Sequence, residues 1–193
     1  MGSTGTGKTY FAYQQAYELV KNGEHVLFLS SFDDTEKSNI EKKIITLQED
    51  IKNILPSLLK RESMHVIFQT GEIGREKSKE LENDFLHEIF KNIDSLKGMY
   101  LFIDEAQNID KVNLAVLCSE VRKYDIGLVL IHQYFDQFSE KIKSDIKNYF
   151  KNGIYFKTFE NDINNILDLF PHSGKTKGDF ENLETGQYIV FEK

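Results

Sequence analysis

The sequence predicts an α/β domain: a parallel β-sheet with helices on both of its faces. Short runs of apolar, β-branched and aromatic residues lie at 25–30, 65–69, 99–103, 127–132 and 154–157. They alternate with longer segments whose apolar residues recur at helical spacing, and a sixth run at 187–191 closes the chain. The runs are largely continuous rather than alternating, which is how strands buried on both faces read. Right-handed crossovers between parallel strands then gather the loops that follow them along one edge, where such sheets bind ligands.

Each element has its own signal. Phe11, Gln15, Leu19 and Val20 place a helix directly after a glycine-rich start. Ile40, Ile44, Leu47, Ile51 and Leu55 have helical spacing and predict a second helix ahead of the run at 65–69. Further helices are expected at 81–93, 112–124, 138–150 and 162–170. Thr70-Gly71-Glu72-Ile73-Gly74 reads as a glycine-containing loop after a strand. With two prolines, Pro56 and Pro171, and no repeat or linker, the 193 residues fit one domain spanning 1–193.

Bulk properties narrow the class. The net charge of −7, from 24 basic and 31 acidic residues, argues against a surface coated over a whole face by nucleic acid. It leaves room for nucleic acid held by a few local groups. The single cysteine, Cys118, excludes an internal disulfide framework and reads as a small buried apolar side chain. No run approaches the ~20 apolar residues of a membrane span, and no signal-peptide core is present. A cytoplasmic protein without a membrane span is expected.

The chemistry begins at Gly2-Ser3-Thr4-Gly5-Thr6-Gly7-Lys8-Thr9, which fits G-x-x-x-x-G-K-[ST] throughout. Glycines let the chain turn so that successive N–H groups converge on phosphate oxygens. The helix starting at Lys8 adds the positive end of its dipole. In such a P-loop the lysine, here Lys8, reaches the β- and γ-phosphates of a nucleotide, and the hydroxyl of Thr9 is a ligand for Mg²⁺. A second motif lies at 99–105, where an apolar strand ends in Asp104 and Glu105. Asp104 is suited to hold the metal, directly or through water, and Glu105 to orient or deprotonate the attacking water. Together the motifs predict a P-loop enzyme hydrolysing ATP or GTP. No guanine-reading Asn-Lys-x-Asp occurs, which tilts the expectation to ATP.

A resemblance adds to this reading. Phe102-Ile103-Asp104-Glu105-Ala106-Gln107, the stretch Ser119-Glu120-Val121-Arg122-Lys123-Tyr124-Asp125-Ile126-Gly127 and Leu128-Val129-Leu130-Ile131-His132-Gln133 resemble the HerA/FtsK superfamily of DNA-pumping ATPases. The similarity is nearest to conjugative coupling and type IV secretion ATPases and their archaeal and viral relatives. It continues through 135–156 and into Leu183-Glu184-Thr185-Gly186-Gln187, covering about half the chain. The resemblance implies a RecA-like sheet, ATP with Mg²⁺, DNA as partner and a homo-oligomer, hexameric in many members. It implies that Gln133 senses the γ-phosphate or attacking water, and that Arg122 is donated across the subunit interface. Arg61 and Arg75, the other two arginines, are weaker candidates for that role. His132 stands where the family usually has Thr, and a packing or hydrogen-bonding role is expected for it. Lys141, Lys143, Lys147 and Lys151 are interleaved with Glu140 and Asp145 and read as a solvated helix face.

The function expected is an oligomeric ATP-driven motor that translocates DNA in conjugation, plasmid or viral DNA transfer or packaging. The alternatives are a related secretion or phage-assembly ATPase of the Zot type acting on protein, and a truncated nucleotide-binding remnant. One departure bears on the fold. A phosphate loop ordinarily follows a buried strand, whereas one residue, Met1, precedes Gly2. Either the sequence is a fragment, or its start is misplaced, or another segment fills the place; the sheet is expected to lack its first strand and to be unstable for it.

Overall fold

The computed structural model describes residues 1–3, 5–31 and 40–192, the side chains of Thr70, Lys111 and Val112 excepted. Helix α1 (Lys8–Lys21) follows the glycine loop, then come β1 (Val26–Ser30), β2 (Glu41–Ile45), α2 (Gln48–Leu59) and β3 (Met64–Phe68). A one-turn α3 (Thr70–Ile73) and the long α4 (Arg75–Lys91) lead to β4 (Tyr100–Ile103). Next are α5 (Lys111–Glu120), β5 (Gly127–Leu130), α6 (Glu140–Tyr149), β6 (Asn152–Phe156), α7 (Glu160–Leu169), α8 (Lys177–Glu181) and β7 (Tyr188–Glu192).

Five strands form an all-parallel sheet in the order β2-β3-β1-β4-β5, while β6 and β7 pair antiparallel as a separate two-stranded sheet. The three central strands, β3, β1 and β4, are buried on both faces, as their continuous apolar runs require. Leu27, Leu29, Leu101 and Ile103 point into the larger core, with Leu81, Phe85 and Ile89 of α4 and Leu114 and Leu117 of α5. The intervening Val26, Phe28 and Phe102 face a smaller cluster with Ala12, Tyr13 and Ala16 of α1. There Phe28 and Phe102 stack with ring centroids 5.6 Å apart.

The loop expected at 70–74 is instead the one-turn helix α3, and two further elements differ from the sequence reading. The helix expected from Ile40 onward is a strand, β2, followed by a turn and α2. The Asp50 carboxylate accepts from the N–H groups of Thr46 and Leu47, both at 2.8 Å, and so starts α2 at Gln48. The runs at 154–157 and 187–191 lie outside the parallel sheet, as β6 and β7 paired antiparallel to each other. The expected gap in the sheet has a definite place. β5 is an edge strand only half-buried along its whole length, and a cleft of about 970 Å³ separates it from β6.

Candidate functional site

The C-terminal ends of β4 and β5 and the start of α1 meet at one point. Gly5 and Gly7 take positive φ (76° and 93°), and Gly7 precedes α1 with no side chain capping the helix. The first turn of α1 carries no acidic residue, so its free amides and dipole are left for an anion. Thr6 Oγ1 and Lys8 Nζ both donate to the Ser3 carbonyl at 2.8 Å, which draws the loop around the ammonium. Lys8 is 8% exposed; burial lowers its pKa, and the charges of Glu105 and Asp104 oppose that. Thr4, predicted as part of this loop, lies outside the described residues.

Gly2 is required for a different reason. A Cβ there would stand 2.7 Å from the Phe156 Cβ, and the residue has φ 156°. Around Gly5 nothing lies within 4 Å. Gly2→Ala is therefore expected to cost about 2–3 kcal/mol through overpacking against β6, and Gly5→Ala about 1 kcal/mol through backbone strain alone. Thermal unfolding of the two variants checks the order; equal losses would mean that β6 yields to the added methyl.

Asp104 extends β4, its N–H donating to the Leu29 carbonyl at 2.9 Å. Its Oδ2 accepts from Thr9 Oγ1 at 2.9 Å, joining residues 95 apart in sequence. Burial pushes the Asp104 pKa up to about 6, against the Thr9 hydrogen bond that lowers it. Glu105 occupies left-handed backbone at φ 51°, a sparsely populated conformation for a residue with a side chain. Its Oε1 accepts from Gln133 Nε2 at 2.8 Å, and its Oε2 accepts from Gln107 Nε2. The structure thus brings together Gly2, Ser3, Gly5, Thr6, Gly7, Lys8, Thr9, Asp104, Glu105 and Gln133.

Two oxygen donors side by side, one a buried carboxylate, suit a hard divalent cation. Among the described residues no group of three or more His, Cys, Asp or Glu side chains could hold a metal alone. The donor set therefore fits Mg²⁺, which keeps waters and takes phosphate oxygens alongside one or two protein ligands.

Arg122 lies apart from this cluster. It sits in the 3₁₀ turn Val121–Tyr124 that enters β5, and Gln133 follows the other end of that strand. Four residues of strand span about 13 Å, so the guanidinium is remote from its own phosphate loop. Arg75 donates to Asn108 Oδ1 at 3.4 Å, and Arg61 is placed beside Gly98. His132 is buried edge-on to Phe138, with centroids 4.7 Å apart, and burial holds its pKa well below the usual value. Lys141 pairs with Asp145, and Lys143 with Asp136 and Glu140, so these side chains are engaged on their own helix and its flank.

Two residues near the acids carried no role in the sequence reading. Gln107 is the second amide on Glu105, and its place in the Asp104-Glu105-Ala106-Gln107 string was the available signal. Glu82 of α4 is 0% exposed with both carboxylate oxygens unpartnered among the described residues. Burial and the charges of Asp104 and Glu105 push its pKa up to about 8. Nothing in the sequence distinguishes it from the solvated glutamates around it.

A phosphate loop opening a helix, beside an acid-tipped central strand of a parallel sheet, defines a P-loop ATPase domain. The chain belongs to the KaiC ATPase family, whose model matches residues 1–166. Solved structures share the fold. The genome-packaging NTPase B204 of Sulfolobus turreted icosahedral virus 2, in complex with sulfate, aligns with TM-score 0.63 and 17% identity over 99% of this chain and 88% of that one. The same protein with ATP-gammaS gives TM-score 0.62 at 16% identity, over 99% and 88% of the two chains. VirB4 of Thermoanaerobacter pseudethanolicus gives TM-score 0.69 at 12% identity, over 99% and 87%. At 12–17% identity these likenesses are of fold. No curated protein sequence matches the chain. No helix among the described residues is long and apolar enough to cross a membrane.

Proposed function

We propose that this ATPase is an oligomeric motor that couples ATP hydrolysis to the movement of DNA. The observation that carries the enzymatic part is the convergence of Lys8, Thr9, Asp104, Glu105 and Gln133 through bonds spanning 95 and 28 residues. Lys8 and the first-turn amides of α1 bind the β- and γ-phosphates. Thr9 and Asp104 would hold Mg²⁺, which would supply neutralising charge to the phosphate oxygens. Glu105 accepts the proton of the attacking water, and Gln133 reports on the γ-phosphate. DNA as the substrate is supported by the likeness in fold to a packaging NTPase of a virus; the likeness to VirB4 favours a second reading, a secretion motor acting on protein.

Arg122 acts in trans on this reading. Its place at the far end of β5 denies it the phosphates of its own chain, while a guanidinium presented by a neighbouring subunit can stabilise the charge of phosphoryl transfer. Such a contact is head-to-tail and repeats from subunit to subunit, the kind of interface that builds a ring when its rotation closes.

The test is ATP turnover with and without double- and single-stranded DNA across a salt series. DNA contacts through phosphates release counterions, so stimulation is expected to fall steeply with salt. Stimulation by neither form of DNA would turn the substrate assignment to protein. Lys8→Ala and Arg122→Ala are each expected to lose at least about 10³-fold in turnover, and a mixture of the two to recover a measurable part. Recovery requires Arg122 to serve a neighbour; an Arg122→Ala protein with full activity would remove it from the site.

A further inference from the structure

The loop that carries Gln133 out of β5 is held from the side of α7. Gln133 is followed by the 3₁₀ turn Phe135–Gln137, onto which the next N–H groups bond back: Gln137 to the Tyr134 carbonyl at 3.3 Å and Phe138 to the Phe135 carbonyl at 3.1 Å. The N–H of Phe135 opens the turn and so needs an acceptor from elsewhere. It donates to Asp162 Oδ1 at 2.9 Å, across 27 residues of sequence. The other oxygen, Oδ2, accepts from Thr158 Oγ1 at 3.3 Å, in the connection between β6 and α7. Both oxygens of a carboxylate that is 3% exposed are thereby engaged. Asp162 stands at the third position of α7, from which an acidic side chain ordinarily turns back onto the N–H of its own helix cap. Its bonds go instead to Phe135 and Thr158, and the cap residue, Phe159, brings no side-chain bond to the helix start. The arrangement favours the loop at the expense of the helix start.

Neighbouring contacts act in the same sense. Asn165 Nδ2, about one turn further along α7, donates to Asp136 Oδ1 at 3.2 Å, and Tyr134 lies against Phe159 with ring centroids 5.6 Å apart. Tyr134, Phe135 and Asp136, the three residues after Gln133, are thus each tied to α7 or its cap. Of the three ties, that of Asp162 is the buried one. On the other side of this stretch, Gln133 Nε2 meets Glu105 Oε1 at 2.8 Å. Two residues span at most about 7 Å, so fixing the Phe135 amide restricts where the Gln133 backbone can lie. We propose that Asp162 is a positioning residue for ATP turnover, acting through Gln133, whose main chain it holds two residues further on. The inference rests on the γ-phosphate role of Gln133 given above.

ATP turnover and affinity for a non-hydrolysable ATP analogue are measured for Asp162→Ala, Asp162→Asn, Gln133→Ala and the double variant Gln133→Ala/Asp162→Ala, with thermal unfolding alongside. Asp162→Ala is expected to lower kcat by about 10–100-fold, the scale of a small misplacement at a reacting site. It should leave Kd for the analogue within about threefold. Asp162→Asn should keep most of the activity, because its Oδ1 still accepts from Phe135 and its Nδ2 can donate to Thr158 Oγ1. In the double variant the second substitution should add less than about threefold, since no Gln133 side chain is left to misplace. A purely structural role would instead multiply the two losses and follow the fall in Tm. Should Asp162→Ala be unfolded at the assay temperature, Asp162→Glu, which keeps the charge and moves the acceptor by one methylene, takes its place in the cycle. Full activity in Gln133→Ala removes the role of Gln133 and the inference with it. A slow Gln133→Ala beside an unimpaired Asp162→Ala, or beside losses that multiply, overturns the inference alone.

Discussion

Glu105→Gln is expected to lower ATP turnover by about 10²–10⁴-fold while leaving nucleotide affinity within about a factor of three. The substitution removes the basic oxygen but keeps the shape of the site. A glutamine at 105 still offers its carbonyl to Gln133, whose Nε2 now donates to Glu105. The new amide nitrogen meets Gln107, whose Oε1 has no partner among the described residues and can accept after the Gln107 amide turns over. Phosphate release and titration with a fluorescent nucleotide separate the two effects. Turnover within tenfold of the unmodified protein would assign activation of the water to another group.

Glu82→Gln is expected to change the pH dependence of stability by several kcal/mol. The folded-state pKa of Glu82 is raised from 4.5 to about 8, chiefly by burial. A group raised on folding contributes fully below its unfolded value and loses that contribution as pH climbs through the folded one. The loss therefore runs from about pH 4.5 to about pH 8 and is complete above it. At about 1.4 kcal/mol per pH unit this amounts to on the order of 4–5 kcal/mol. Glutamine keeps the volume and the burial cost at every pH but cannot ionise. Relative to the variant, the unmodified protein should lose about 10 °C of Tm between pH 5 and pH 9. Parallel Tm profiles for the two proteins would show that Glu82 is hydrated or paired in solution.

The site was legible because it is carried by linear strings. The glycine loop, the acid-tipped strand at 99–105 and the glutamine after the next strand each hold their chemistry within a few residues, and the parallel sheet brings their ends together. β2 was not legible. Its sequence Glu41-Lys42-Lys43-Ile44-Ile45 buries only Ile45 fully, as an edge strand does, so no continuous apolar run marks it. Ile40, Ile44, Leu47 and Ile51 then fall by coincidence at helical spacing across a strand, a turn and a helix. Glu82 was hidden for the opposite reason: its burial depends on how α4 lies over the sheet, which charge patterning along one helix does not reveal. That β5 and β6 face each other across a cleft was not legible either, because it arises only from the three-dimensional order of strands.

Both oxygens of Glu105 are occupied by side-chain amides, one from Gln133 and one from Gln107. A carboxylate offers about four lone-pair sites, so each oxygen keeps one free for a water. Gripped on both sides, the group cannot spin about its last carbon–carbon bond, and its free lone pairs are held in one plane. On the roles proposed above, the proton acceptor would thus be aimed before the nucleotide arrives, and its orientation would depend on two amides that themselves touch no proton in flight.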